Sequence, residues 1–133
     1  VFNRCTIDRP TFQKKTEFLH NFVLSESTLC KAHLTGITVK GAWYCNRLQT
    51  RGRLLVSRSR FEGKATFWEA RFEGWVDFKL CEFAGEVDFR SFHAHEGFVL
   101  TRSKFAGNVL LRGATVSKKM EVTGSRFEAL LDT

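Results

Sequence analysis

An all-β solenoid is what the sequence predicts, on three observations. Apolar residues recur at alternating steps of six and five. Nine of the ten glycines lie two residues after one of those apolar positions. Fourteen phenylalanines stand against one tyrosine and one methionine, a bias that a repeated aromatic slot supplies. A fixed short period outranks any element-by-element reading, because each unit buries its apolar face only by stacking on the next.

The register is clearest from Val39 onward. Inward positions fall at Val39, Cys45, Thr50, Val56, Phe61, Phe67, Phe72, Phe78, Phe83, Phe89, Ala94, Leu100, Phe105, Leu111, Val116, Val122 and Phe127, an unbroken alternation over 88 residues. Upstream the slot continues through Leu34, Leu29, Leu24, Phe18, Phe12, Ile7 and Phe2 in steps of five, with two steps of six. The residue two before most centres is also small or apolar, as at Ala65, Ala70, Val76, Cys81, Val87 and Val109, so each unit carries two inward positions. Phe22, Phe92 and Phe98 occupy that second slot, which places all fourteen phenylalanines inside. The eight expected to form the structural core are Phe61, Phe67, Phe72, Phe78, Phe83, Phe89, Phe105 and Phe127. Phe61, Phe83, Phe105 and Phe127 should share one column, and Phe67, Phe89 and Leu111 another.

The glycines mark corners, where a residue tolerant of positive φ is expected. Only Gly97 is out of step. A helix is excluded, since periods of five and eleven match no 3.6-residue stripe and would scatter glycine through its interior. Hairpins need longer strands and polar turns than these closely spaced corners allow. Distortion is expected at Thr50, a polar centre, at Trp43, a large residue in a small slot, and around Ala94 to Gly97.

The units Ala70-Arg-Phe-Glu-Gly74 and Cys81-Glu-Phe-Ala-Gly85 resemble the five-residue repeat of bacterial pentapeptide-repeat proteins, in their Phe-rich branch. The joined form from Phe72 through Phe78 and from Phe83 through Phe89 is similar to that branch as well. The resemblance implies a right-handed quadrilateral parallel β-helix with one unit per side, and steps of 5, 6, 5 and 6 give coils of 22 residues, about six in the chain. It also implies a known activity of that family, DNA mimicry, in which an acidic rod occupies the DNA site of a type II topoisomerase such as gyrase.

The 133 residues read as one domain, and a start at Val1 leaves a removed leader or a larger parent protein open. The net charge of +7 is uneven: +8 over residues 1–60, −4 over 61–100 and +3 over 101–133. Mimicry of DNA needs a negative surface, which only the middle stretch offers, while the basic first half invites a nucleic acid or an anionic surface. Cys5, Cys30, Cys45 and Cys81 form no CxxC pair and sit among apolar residues, which favours reduced, buried thiols and a cytoplasmic location. No apolar run reaches the length of a membrane span, so no membrane partner is expected.

Candidate chemistry is sparse. His93-Ala-His95 would put two imidazoles on one side of a strand, but no cysteine or carboxylate stands at a ligand spacing beside them. No P-loop, GxGxxG, GxSxG or HExxH occurs, and the carboxylates Glu62, Glu69, Glu73, Asp77, Glu82, Glu86 and Asp88 are spread over corners and outward positions. No catalytic residue, cofactor or metal ligand is therefore assigned. Stacking at 22 residues puts Glu69 over Arg47, Glu73 over Arg51, Trp75 over Arg53 and Glu82 over Arg60, and sets Trp68 beneath Arg90. Arg58, under Leu80 with Arg102 two coils up, is left uncompensated. Arg58, Trp68, Trp75 and Arg102 are thus the candidate interaction surface of a non-enzymatic scaffold with a protein partner. The C-terminal stretch Phe127–Leu131 is expected to pair with a second copy as a homodimer. A topoisomerase-binding DNA mimic and a weak nucleic-acid binder through the N-terminal coils are the alternatives.

Overall fold

The computed structural model describes residues 16–133 and, before them, the strand backbones of Thr6–Ile7 and Thr11–Phe12. Among the described residues the secondary structure is strand, turn and bend, with no helix. Short strands of two to five residues build four parallel sheets, each of six strands, that form the four sides of a solenoid. The first side runs from Thr6–Ile7 to Thr115–Val116, the second from Thr11–Phe12 to Lys119–Thr123, the third from Thr16–Phe18 to Arg126–Phe127 and the fourth from Phe22–Val23 to Leu131–Asp132.

Pairing advances by 22 residues at nearly every step, as in Arg60↔Glu82 and Phe61↔Phe83. Three early steps are of 21, at Phe18↔Val39, Phe22↔Trp43 and Leu29↔Thr50. The cause is local: the corner from Leu29 to Leu34 is one residue shorter than its successors, from Thr50 to Val56 and from Phe72 to Phe78. Six strands per side are separated by five steps, so the ladder makes about five turns where the chain length suggested six coils. The difference lies between counting strands and counting the steps that join them.

Aromatic rings fill the interior. Phe61, Phe67, Phe72, Phe78, Phe83, Phe89 and Phe105 are all at most 1% exposed, whereas Phe127 in the last coil is half-buried. Along the third side Phe61, Phe83, Phe105 and Phe127 stack nearly face to face at 4.8–4.9 Å. Phe67 and Phe89 stack at 5.0 Å along the fourth. Phe2 and the Phe12 side chain lie outside the described residues.

Of the sites of expected distortion, Trp43 and Thr50 pair with the preceding coil in the 21-residue steps, whereas the stretch from Ala94 to Gly97 is regular. Pairing runs in 22-residue register through Ala94 and Gly97. At Ala94 the missing volume is supplied by Phe92 and Phe98, whose rings meet at 4.9 Å. Trp43 does the same for the small centre Val39: its buried indole reaches across and continues the aromatic stack, 4.6 Å from Phe61 and 6.1 Å from Phe22. Volume is conserved per coil even though it is not conserved per slot. Thr50 holds its centre position fully buried, its hydroxyl without a hydrogen-bond partner.

The expectation of positive φ holds at Gly36, Gly113 and Gly124 and is corrected at the other corner glycines. Left-handed corners do exist, but most of their occupants carry side chains: Glu26, Arg47, Glu69 and Ser91 lead to Gly113 at one corner, and Gly36, Arg58, Leu80 and Arg102 to Gly124 at the other. Gly63, Gly85 and Gly107 have ordinary φ and serve a different need. There the backbones of successive coils lie so close that a Cβ on Gly85 would sit 2.6 Å from the Gly63 carbonyl oxygen. Glycine at these corners is set by contact between coils, and the stray Gly97 has the same reason, since its Cβ would run into the Trp75 ring lying over it.

Candidate interaction surface

Outward residues alternate with inward ones and form straight columns along the solenoid, so each surface residue meets the one 22 positions on. Two of the expected ladders are present: Arg47 Nε donates to Glu69 at 2.9 Å, and Arg60 approaches Glu82 at 3.0 Å. Lys64–Glu86 at 2.9 Å and Lys118–Glu96 at 2.7 Å follow the same rule. Among the described residues no ion pair joins Arg51 to Glu73. Arg53 does not lie on Trp75 but reaches diagonally to Asp77 at 2.8 Å. Arg90 does not cover Trp68. It turns back onto Asp88 in a two-pronged contact of 3.0 and 2.8 Å, and Arg47 lies over the Trp68 ring instead, 5.1 Å from its centroid. Register names a column neighbour, while a long guanidinium chooses any carboxylate within reach.

Most of these pairs are half exposed, so each contributes about 0–1 kcal/mol and serves chiefly to cancel local charge. Asp88 is the exception in burial, with its side chain only 5% exposed. Burial pushes its carboxyl upward, but the Arg90 hydrogen bonds and charge, with help from Lys64, outweigh that and hold it below the usual carboxylate range.

Trp68 and Trp75 remain 36% and 38% exposed, the first under Arg47 and the second laid across Gly97. Each therefore covers part of its own solenoid. Arg58, Leu80 and Arg102 stand in one column at the corner between the second and third sides, with φ of 48°, 55° and 47°. Their N–H groups donate to the carbonyls of Lys79, Thr101 and Thr123 at 3.0, 2.9 and 2.8 Å, which fixes the corner and sends the side chains outward. A non-glycine residue in this conformation costs roughly 1–2 kcal/mol. Leu80, which sequence reading noted only as a neighbour of Arg58, is 41% exposed there.

Inside the same corner runs a column that sequence reading missed. The Ser59 hydroxyl accepts from the Ile37 N–H at 3.2 Å and donates to the Ser57 carbonyl at 2.8 Å; Ser103 repeats the pattern with the Cys81 N–H and the Thr101 carbonyl, and Ser125 accepts from the Ser103 N–H but donates to the Leu100 carbonyl. Cys81 takes the equivalent place, its thiol directed at the Val56 and Lys79 carbonyls. Burial pushes the Cys81 thiol up to about 12, and that of Cys45 well above its ordinary value. Neither is a thiolate nucleophile at neutral pH. Cys5 lies outside the described residues.

His93 Nδ1 lies 2.6 Å from the Thr115 hydroxyl, and the His93 and His95 rings are 6.5 Å apart. Among the described residues no group of three metal-ligating side chains converges, and no helix is long and apolar enough to cross a membrane. A shallow groove of about 710 Å³ runs past Arg47, Gln49, Glu69, Arg71, Ser91 and His93. At the far end the last coil leaves an apolar cavity of about 270 Å³ among Phe89, Leu100, Leu111, Val122, Phe127 and Leu131. Comparison with protein-family models, with curated proteins and with solved structures gave no match to this chain.

Proposed function

We propose that this chain is a non-enzymatic scaffold of pentapeptide-repeat type, a rod that presents its outward columns to a protein partner in the cytoplasm. The observation that carries the reading is where the reactive groups sit. Two thiols are sealed in the core with raised pKa values, and the carboxylates Glu62, Glu69, Asp77, Glu82, Glu86 and Asp88 are each held by an arginine or lysine. Groups committed in this way support neither acid–base nor nucleophilic chemistry. The same pairing weighs against the DNA-mimic alternative, because every carboxylate of residues 61–100 except Glu73 stands beside a basic group. It weighs equally against nucleic-acid binding through Arg47 and Arg60, which already face Glu69 and Glu82.

A homodimer through the C-terminal coil belongs to this reading. The apolar end is rimmed by both signs of charge, with Lys119 beside Glu121 at 2.9 Å and Arg126 beside Glu128 at 3.2 Å. A two-fold axis would bring each sign onto its opposite and pair the open strand edges.

Three assays on the intact chain divide the alternatives: duplex-DNA binding across a salt series, gyrase supercoiling, and cross-linking to a stoichiometric protein partner through an outward face. The scaffold reading expects the third alone. It further expects the Glu62→Gln, Glu69→Gln, Glu82→Gln triple variant, which removes the partners of Arg47 and Arg60, to strengthen the weak DNA binding and steepen its salt dependence, since each freed arginine displaces about one counterion. Tight binding of DNA by the unaltered chain at physiological salt, or inhibition of supercoiling, would replace it.

A further inference from the structure

We propose that Arg58, Leu80 and Arg102 form a docking ridge for an acidic amphipathic helix of a partner protein, lying along the solenoid axis. The inference rests on the scaffold reading and names the surface and the partner's chemistry. Both left-handed corners impose the same backbone, yet they are furnished differently. At one, Arg47 and Glu69 neutralise each other. At the other, Arg58 and Arg102 flank an exposed leucine, and among the described residues neither arginine, nor Lys79 next to Leu80, has an ion-pair partner. The cations around them do: Arg53 holds Asp77, Arg60 holds Glu62 and Glu82, and Lys104 holds Glu128. Charge is cancelled up to the edge of this ridge and left open on it.

The fold does not call for these side chains. Among the described residues the same column also contains Gly36 and Gly124, both at positive φ, so glycine meets the backbone requirement without strain. Leu80 adopts the disfavoured conformation while leaving 41% of its surface exposed, where glycine would be unstrained.

Spacing selects the partner. Neighbouring strands stand about 4.8 Å apart, so the three side chains repeat at roughly 0, 5 and 10 Å along the axis. One turn of α-helix rises about 5.4 Å, and its residues i, i+4 and i+7 share a face over about 10.5 Å. A stripe of carboxylate, apolar residue and carboxylate therefore meets cation, leucine and cation in register, with Lys79 as a flanking charge. A nucleic-acid backbone would satisfy the arginines but set a hydrated phosphate against Leu80.

The probe is a synthetic helix of about 15 residues, staple-stabilised on its far face, with Glu at i and i+7 and Leu at i+4. Binding to the intact chain is followed by fluorescence anisotropy and mapped by backbone amide shifts. Expected is saturable binding centred on Arg58, Leu80 and Arg102, weakened about tenfold or more by Leu80→Gly and by Arg58→Ala with Arg102→Ala, and retained by Leu80→Met. The thermal midpoint of Leu80→Gly should be unchanged or higher, which separates loss of docking from loss of fold. Unaltered affinity in Leu80→Gly, or no binding of the helix, overturns the ridge. Shifts on another side overturn it while leaving the scaffold reading in place. Duplex DNA binding at the ridge in place of the helix would remove both.

Discussion

Thr50 and Asp88 show how differently two buried polar side chains can be treated by the same core. Thr50 occupies an inward centre with its hydroxyl unpartnered, so it bears the cost of desolvation with nothing returned. Thr50→Val keeps the shape and removes the orphan, and should raise stability by about 1 kcal/mol in chemical denaturation. Asp88 is fully partnered by Arg90, and its carboxyl is held below the usual range by those contacts despite burial. A depressed folded-state pKa stabilises at pH values above the unfolded carboxylate value, and the contribution is lost as pH falls through the lower folded value. Unfolding followed between neutral pH and pH of about 2 should therefore show an acid-side loss of stability that is smaller in Asp88→Asn. The inward position of Thr50 could be read from period alone. The partner of Asp88 could not, because the column sets Arg90 over Trp68 and only rotamer reach turns it back from the following turn onto Asp88.

Elements here are strands of two to five residues that no local propensity would hold, so their stability comes from the columns they feed. Phe83 lies between Phe61 at 4.8 Å and Phe105 at 4.9 Å. Phe83→Ala should cost about 3–5 kcal/mol, since close-packed coils above and below limit collapse into the cavity. Arg60→Ala, which breaks half-exposed pairs with Glu62 and Glu82, should cost under about 1 kcal/mol in the same denaturation series. The inner columns were legible because the period is strict and the Phe slot is repeated. The glycine corners were legible in position but not in cause. A sequence shows where a chain turns, whereas the approach of Gly85 to Gly63 depends on how tightly coils stack. Trp43 was misjudged for a related reason: volume is balanced across the whole coil, so an oversized residue in one slot answers the small Val39 in another.

Across the molecule, the same 22-residue step that stacks phenylalanines inside sets Arg47 over Glu69 and Arg60 over Glu82 outside, so part of the surface charge is cancelled between coils. The corner ridge of Arg58, Leu80 and Arg102 joins cations unpaired among the described residues to an exposed leucine, half legible from sequence as an unmatched column and completed by the left-handed backbone that exposes Leu80. Everything rests on that step being real along the full length of the rod. It can be measured directly with spin labels at Thr38 and Arg126, two outward positions on the third side joined through Arg60, Glu82 and Lys104. With the native cysteines replaced and cooperative unfolding retained, pulsed dipolar spectroscopy should give a narrow backbone separation of about 19 Å, four inter-strand spacings of roughly 4.8 Å. A broad distribution, or a separation beyond about 30 Å, would contradict the parallel ladder and with it the surface built upon it.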